Sequence, residues 1–514
     1  MAYKAMKQGK SRTGGQHSFA QIPRADIPRS AFKRNCGYKT TFDAGDLVPV
    51  FWDECLPGDT MNLRMTLFSR LSTLIFPIMD NLYMDVWFFA VPNRILWDNW
   101  EKFMGAQDNP GDSISFQIPQ ITAHPSVGWV DHTLGDYFGL PVQINSIPTN
   151  ALFLRAYNKI WNEWFRSEDL QDSVLDETGD GPTAAGLYPL LKRGKRHDYF
   201  TSCLPSPQKG AAVSLPLGIT APVVTDSTVP TVDYDTFLNQ DLTVKGGNRD
   251  ILAATAPGAG DRDLTWNNTG MQADLQGASS ATINQLRESF QIQRLLERDS
   301  RGGTRYTEIV RSHFGISSDD ARQNRPEYIG GGSVPIMITP VANTSNTDTG
   351  QLAAFGTATN GNIGFRKSFT EHCVIIGMVS ARADLNYQRG LERMMSRLNR
   401  NDFYFPAFAH LGEQAVLNKE IWMDGTGADE NVFGYQERYA EYRYKPSMVT
   451  GLMRSGSIGG TLHSWHLAQD FATLPVLDDA FIQENPDVDR IKVAAAEPDF
   501  IFDAYFDYTC VRPM

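Results

Sequence analysis

The order of apolar and polar positions along the chain is mostly that of strands. Leu63, Met65 and Leu67 alternate with Arg64, Thr66 and Phe68, and Leu82 to Val91 forms a dense apolar and aromatic stretch. Turn signals at Pro57-Gly58 and Pro92-Asn93 bound them, which predicts two strands. Val334 to Thr339 and Val374 to Ala381 are further candidates. Near the end, Phe500, Phe502, Ala504, Phe506, Tyr508 and Cys510 fall on one face while Asp503, Asp507 and Thr509 punctuate the other. Period-two alternation of this kind predicts a half-buried strand of an antiparallel sheet, and a C-terminal strand must pair with something distant in sequence. Helical periodicity is sparse. Asn150 is placed to cap a helix from about Ala151 to Arg166, with Leu152, Ala156, Ile160, Trp161, Trp164 and Phe165 as its apolar stripe. A second helix is predicted from about Ile283 to Arg298, stopping at Gly302-Gly303. Neither helix repeats as βαβ units would. With 43 Gly and 28 Pro, the chain reads as mainly β with long loops.

Two segments stand outside this pattern. Residues 1–40 are rich in Lys, Arg, Gly, Gln and Ser and carry few aliphatics, so they cannot bury enough surface to fold alone; order there must come from a partner or a neighbouring subunit. Residues 218–282 mix Ala, Thr, Gly, Asp, Asn and Val with hardly any aromatics. That composition suits short surface strands and turns more than a core, and predicts a surface insertion or a flexible linker. The division expected is therefore a basic arm at 1–40, a first core part at 41–217, the insertion at 218–282 and a second core part at 283–514.

Charge sharpens the contrast. The net charge is −12, yet residues 1–39 carry nine basic side chains against Asp26 alone; taking that +8 away leaves −20 on the rest. Lys4, Lys7, Lys10, Arg12, Arg24, Arg29, Lys33 and Arg34 are thus the candidates for contact with nucleic acid. From charge alone, a solvated tail with no partner is as good a reading. No apolar run approaches the ~20 residues of a membrane span, so no membrane insertion is expected. The absence of a secretory signal and five scattered cysteines with no C-x-x-C pair suggest synthesis in a cytoplasm and buried, inert thiols.

Catalytic signatures are missing. Gly194-Lys195 is followed by Arg196 and does not make a P-loop, and neither H-E-x-x-H nor G-x-S-x-G occurs. Arg301 to Arg305 reads as a turn after a helix. His463 and His466 lack a third ligand nearby and read as structural, so no catalytic residue, metal or cofactor is assigned. Two arginine and aromatic clusters remain. Arg389, Arg393 and Arg397 would align as a ridge on a helix, ahead of Phe403-Tyr404-Phe405. Arg438, Arg443 and Lys445 alternate with Tyr435, Tyr439, Tyr442 and Tyr444. Arginine beside aromatics grips phosphates and stacks bases, but Tyr and Arg also dominate protein contacts. The interface reading leads for both, with Arg389, Arg393, Arg397, Tyr435, Arg438, Tyr442 and Tyr444 as candidates.

Particular strings add to this. Phe42-Asp43-Ala44-Gly45-Asp46-Leu47-Val48-Pro49, then Glu54 to Asp59, Phe88 to Arg94 and Arg155-Ala156-Tyr157-Asn158 resemble the major capsid proteins of microviruses. So do the stretch from Leu296 through Arg305-Tyr306-Thr307-Glu308 to Arg325-Pro326-Glu327-Tyr328, then Gly412-Glu413-Gln414, Gly434 to Arg438, Trp465 to Gln469, and Cys510-Val511-Arg512-Pro513. They cover nearly the whole chain outside 218–282, in order. The chain is similar above all to the gokushovirus branch. The resemblance implies a single eight-stranded antiparallel jelly roll with long interstrand loops, a few inserted helices and a large surface insertion. It also implies sixty copies closing into a T=1 icosahedral shell around a circular single-stranded DNA genome, in a virion assembled in the host bacterial cytoplasm. Internal scaffolding, small DNA-binding and pilot proteins would be partners. The insertion would form protrusions used to attach to a bacterial surface receptor. Many family members continue with a Pro- and Gly-containing tail where this chain reaches Met514, so any role of that tail is expected to be absent or supplied elsewhere.

Two other classes compete with a shell protein. A carbohydrate-binding or hydrolytic β-sandwich needs a cleft with paired carboxylates. A DNA-nicking protein needs a metal-binding His cluster near a nucleophilic Tyr, and Tyr387 has no such neighbours in sequence.

Overall fold

The computed structural model describes residues 28–213, 223–225, 232–234, 264–266, 271–273, 283–342, 352–409, 411–457 and 462–514. The chain divides into two compact units, Ser206–Phe314 and the remainder, Met1–Pro205 with Gly315–Met514. The larger unit is built on nine strand segments: β1 (Arg29–Lys33), β2 (Cys36–Phe42), β3 (Val48–Cys55), β4 (Thr60–Leu71), β5 (Leu82–Pro92), β6 (Glu327–Ala342), β7 (Leu352–Ser368), β8 (Cys373–Ala383) and β9 (Phe500–Pro513). All pairings among them are antiparallel, in the order β1/β2–β9–β4–β7–β6–β5–β8–β3.

β1 and β2 pair with β9 in one register, from Arg29 opposite Pro513 to Phe42 opposite Phe500. They are one edge strand interrupted at residues 34–35, which makes the fold eight-stranded. β6 joins the two halves of the sheet. Its first part pairs with β5 and its last part, Met337 to Ala342, with β7. The sheet curls there so that two layers face each other, which is the jelly roll.

Why the sheet curls at β6 is written in its glycines. A Cβ on Gly330 would lie 2.5 Å from the carbonyl oxygen of Gly364 on β7, so only glycine allows the two backbones to approach this closely. The pairing of β6 with β5 also shifts register between Tyr328 and Gly330. This is why the strand runs through Gly330-Gly331-Gly332, beyond the Val334 to Thr339 stretch that alternation predicts.

Between the layers lies the main core. Phe500, Phe502, Ala504, Phe506, Tyr508 and Cys510 of β9 are all buried in it, with Met61, Leu63, Met65 and Leu67 of β4 and Phe51, Phe88 and Ile375 from the other layer. The Phe51 ring packs tilted at 5.1 Å from Phe506 and edge-on at 5.2 Å to Tyr508. Each such ring removed from water contributes roughly 1.5–3 kcal/mol. A second core covers the other side of the β5–β8–β3 layer. There α1 (Leu152–Ile160) and the wider turn Trp161–Phe165 lay Leu152, Ala156, Tyr157 and Ile160 on Phe89, Val374, Ile376 and Met378. The helix begins one residue later than expected, with Ala151 at the N-cap position, and Asn150 Oδ1 accepts from the Leu152 N–H at 2.9 Å from just outside it. A third core, with Tyr199, Phe200, Val416, Trp422 and Phe433, sits under the antiparallel hairpin of Glu413–Leu417 and Val432–Glu437.

Two expectations are corrected here. The segment read as a basic arm unable to order itself is ordered from residue 28 onward, because β9 of the same chain pairs with it. Not every cysteine is buried either: Cys36, in the edge strand, is exposed, while Cys55, Cys203, Cys373 and Cys510 are buried. Burial pushes the Cys373 thiol up to about 12, which leaves it inert at neutral pH.

In the smaller unit, α2 (Ile283–Gly302) runs four residues beyond the expected end and is followed by α3 (Tyr306–Phe314). Val223–Thr225 pairs with Met271–Ala273, and Val232–Tyr234 with Leu264–Trp266. The rest of residues 218–282 lies outside the described residues.

Candidate subunit interface

The segment carrying the interface candidates begins just after β8 and wraps the third core. Arg389, Arg393 and Arg397 do not form a helical ridge. Residues 389–391 run extended, with the Leu391 N–H donating to Lys419 O (2.7 Å) and the Met423 N–H to Arg389 O (3.1 Å). A Cβ on Gly390 would lie 2.0 Å from Glu420 O, so the two strands of backbone meet at a glycine. These pairings satisfy the backbone in place of a helix, and only the single turn Arg393–Ser396 remains.

The arginines find partners within their own chain. Arg389 lies over the Trp422 ring at 4.6 Å. Arg393 Nη1 binds Glu420 Oε1 at 2.9 Å and donates to Ala415 O at 2.8 Å, and Tyr199 Oη donates to Glu420 Oε2 at 2.8 Å. Burial pushes the Glu420 carboxyl above its ordinary range even though Arg393 and the Leu417 N–H pull the other way. Burial works against the Arg393 charge, but Glu420, Tyr199 and Glu441 together hold the guanidinium above its ordinary value. Arg397 Nη2 binds Glu441 Oε1 at 2.8 Å, and Gln414 Nε2 donates to Glu441 Oε2 at 2.8 Å. Arg393 and Arg397 are thus paired with carboxylates of their own chain, Glu420 and Glu441.

What the buried pairs support is an exposed aromatic surface. Arg397 lies 5.4 Å from the Phe403 ring and 4.8 Å from that of Tyr442. Tyr404 packs edge-on against Tyr439 at 5.1 Å and Tyr442 at 6.1 Å. Tyr439 takes a left-handed turn (φ 63°), held by its N–H donating to Gln414 Oε1 and its hydroxyl to Phe403 O. Arg438 is half-buried with its guanidinium over Phe408 and Tyr439. Tyr435 is half-buried, and its backbone exchanges two hydrogen bonds of 2.8 Å with Leu204. Tyr442 and Tyr444 are exposed, as are Phe403 and Tyr404, and Leu398 on the same loop is 90% exposed. Grouped exposed aromatics, Leu and Met with arginine is the composition of an interaction surface. Leu398 and Met395 carried no periodic signal, and only their exposure marks them.

Of the basic candidates, Lys4, Lys7, Lys10, Arg12 and Arg24 lie outside the described residues. Arg29 and Lys33 are exposed on the edge strand. Arg34 instead binds Asp53, which also accepts from the Tyr508 hydroxyl at 2.7 Å and lies 3.5 Å from Arg512. Burial opposes the Arg34 charge, but Asp53 holds it above its ordinary value. The Arg34 charge is therefore internally matched and is not available as a phosphate contact.

The residues considered for catalysis are structural. Tyr387 is buried, donates to Asp198 Oδ2 at 2.6 Å, and burial holds its phenol well above its ordinary value, the reverse of an activated nucleophile. His466 is buried, accepts from the Ala468 N–H at Nδ1 and contacts Met453 O through Nε2. Among the described residues no three His, Cys, Asp or Glu side chains are gathered as a metal site, and no helix is long and apolar enough to cross a membrane.

A jelly roll whose loops carry an aromatic and arginine surface is the architecture of a shell-forming protein, and comparison with known proteins agrees. The family model of the capsid protein (F protein) matches residues 20–514. The chain is 48% identical over 516 residues to the capsid protein VP1 of Bdellovibrio phage phiMH2K, covering 97% of this chain and 96% of that protein. It is 42% identical over 586 residues to the capsid protein VP1 of Chlamydia phage 1, with the same coverage, and 36% identical over 549 residues to that of Spiroplasma virus 4, covering 99% and 98%. The chain belongs to this phage capsid protein family. It is a microvirus major capsid protein of the gokushovirus type: a structural protein of the virus particle that assembles with itself into a shell, and not an enzyme.

Proposed function

We propose that sixty copies of this chain close into a T=1 icosahedral shell around a circular single-stranded DNA genome. The exposed aromatic and arginine surface around Phe403, Tyr404, Arg438, Tyr442 and Tyr444 forms subunit contacts. It is the observation that carries the reading, since an isolated subunit would leave these rings in water. Contacts of this kind are individually reversible and hold a shell through their number. The basic N-terminal residues face the genome and neutralise phosphate, while the acidic remainder keeps nucleic acid off the outside. The insertion at 218–282 is displayed outward and engages a bacterial receptor. Assembly takes place in the host cytoplasm with the scaffolding, small DNA-binding and pilot proteins.

Particle yield tests the interface. Arg438→Ala and Tyr442→Ala should each lower the yield of closed particles while the unassembled subunit keeps its wild-type circular dichroism. Normal yields from both variants would overturn the assignment of this surface to subunit contacts.

A further inference from the structure

The two layers of the jelly roll differ on their outer sides. The β5–β8–β3 layer is covered by the second core, whereas the outer face of β1/β2–β9–β4–β7 is exposed or half-exposed, with residues 131–137 packed at one end. Alternation fixes what that face presents. On one flank of β9 stand Arg29, Lys33 and Lys39; on the other stand Arg64 and Arg70 of β4 and Arg366 of β7. All six are exposed. β9 itself contributes Asp503, bound to Lys39 at 2.5 Å, and Asp507, opposite Arg64. Six cations against two carboxylates leave this outward face at +4 on a chain whose net charge is −12. Among the described residues, Arg64, Arg70 and Arg366 have no ion-pair partner.

Between the cations lie apolar and aromatic groups that water does not favour. Phe68 is 51% exposed and stands opposite Asp503; Tyr505, equally exposed, stands opposite Thr66 and Gly37. Asn35 Nδ2 donates to the Tyr505 hydroxyl at 2.9 Å, which steadies the ring. Ile501 is exposed beside them. The spacings of a sheet put Arg64 about 20 Å from Arg70 along β4, and β1 about 14 Å from β7 across the strands. Asp131 and Asp136 border a groove at the Lys39, Phe68 and Ile501 end, which sets a negative limit there.

We propose that this sheet face binds single-stranded DNA, with Arg29, Lys33, Arg64, Arg70 and Arg366 on phosphates and Phe68 and Tyr505 stacking on unpaired bases. Exposed rings between unpaired arginines suit a strand whose bases are free, and a duplex would keep its bases from them. The proposal rests on the reading that the shell packages single-stranded DNA, and it adds a folded surface to the N-terminal arm. Residues 28–40 connect the two, since the edge strand of this face is the continuation of the basic segment.

The test uses the full-length unassembled subunit and a fluorescein-labelled oligo-dT probe, titrated at several salt concentrations. The triple variant Arg64→Gln/Arg70→Gln/Arg366→Gln removes three phosphate contacts and should flatten the slope of log affinity against log salt by up to about 2 units. Phe68→Ala should weaken binding roughly 5- to 150-fold and leave the salt slope as it is. Both sites are exposed, so thermal melting should match wild type. A wild-type slope in the triple variant, together with a flattened slope when Lys4, Lys7, Lys10 and Arg12 become Gln, would overturn the sheet-face site and leave genome packaging by the arm standing. Loss of particle formation in the triple variant with its DNA slope unchanged would also overturn it, by making this face a contact between copies. Failure of the wild-type subunit to bind the probe at all would defeat the packaging reading itself.

Discussion

Arg397 separates what holds the subunit from what joins subunits. Its side chain is 8% exposed and that of Glu441 7%, so Arg397→Ala strands a carboxylate away from water with the Gln414 amide as its remaining side-chain partner. Breaking a buried pair in this way costs about 3–5 kcal/mol. The two ring contacts, to Phe403 and Tyr442, are worth roughly 0.5–1 kcal/mol each, but belong to the same side chain and are not added to that figure. Against a total stability of about 5–15 kcal/mol, the loss is large. The double variant Arg397→Met/Glu441→Gln removes both charges, fills the space and keeps an amide for Gln414, so it should recover most of the loss. Urea unfolding of the unassembled subunit, followed by intrinsic fluorescence, reads both variants. If Arg397→Ala unfolds within about 0.5 kcal/mol of wild type, the buried pair is not a fold element and the reasoning fails.

Two further outcomes follow from the same cores and charges. Phe506→Ala, which empties a site 1% exposed beside Phe51, should cost about 3–5 kcal/mol, whereas Tyr505→Ala one residue away on the outer face should stay within about 0.5 kcal/mol; equal urea midpoints for the two would contradict the assignment of faces in β9. Burial raises the Glu484 carboxyl above its ordinary range despite Arg193 and the Ala383 N–H, so the folded subunit holds this proton more tightly than the unfolded chain does. That contribution is present below the ordinary carboxylate pKa and is lost as pH rises through the raised one. Glu484→Gln should therefore flatten the fall in melting temperature between mildly acid and neutral pH, and an unchanged profile would sink the idea.

The strands legible in the sequence are those that bury one face. In β4 and β9 every second side chain enters the core, and alternation writes that directly. β8 is buried throughout and shows only as an apolar run. β1 and β2 were hidden because they form an edge: their residues are largely exposed, and they are ordered by hydrogen bonds to a strand more than 450 residues away. The arginine ridge misled because Arg389, Arg393 and Arg397 have helical spacing, but the backbone at 389–391 pairs with residues 419–423 and only the turn Arg393–Ser396 forms beyond it. The basic sheet face was not visible as a cluster for a similar reason: Arg64 and Arg366 meet only through the pairing of β4 with β7.

Cryo-electron microscopy of purified particles tests the central claim most directly. The account predicts closed icosahedral shells of sixty copies, with the β1/β2–β9–β4–β7 face turned to the lumen and the Phe403, Tyr404, Arg438 and Tyr442 surface against a neighbouring copy. Particles in which that aromatic surface faces solvent, or a purified protein that forms no closed shell under any assembly condition, would contradict it.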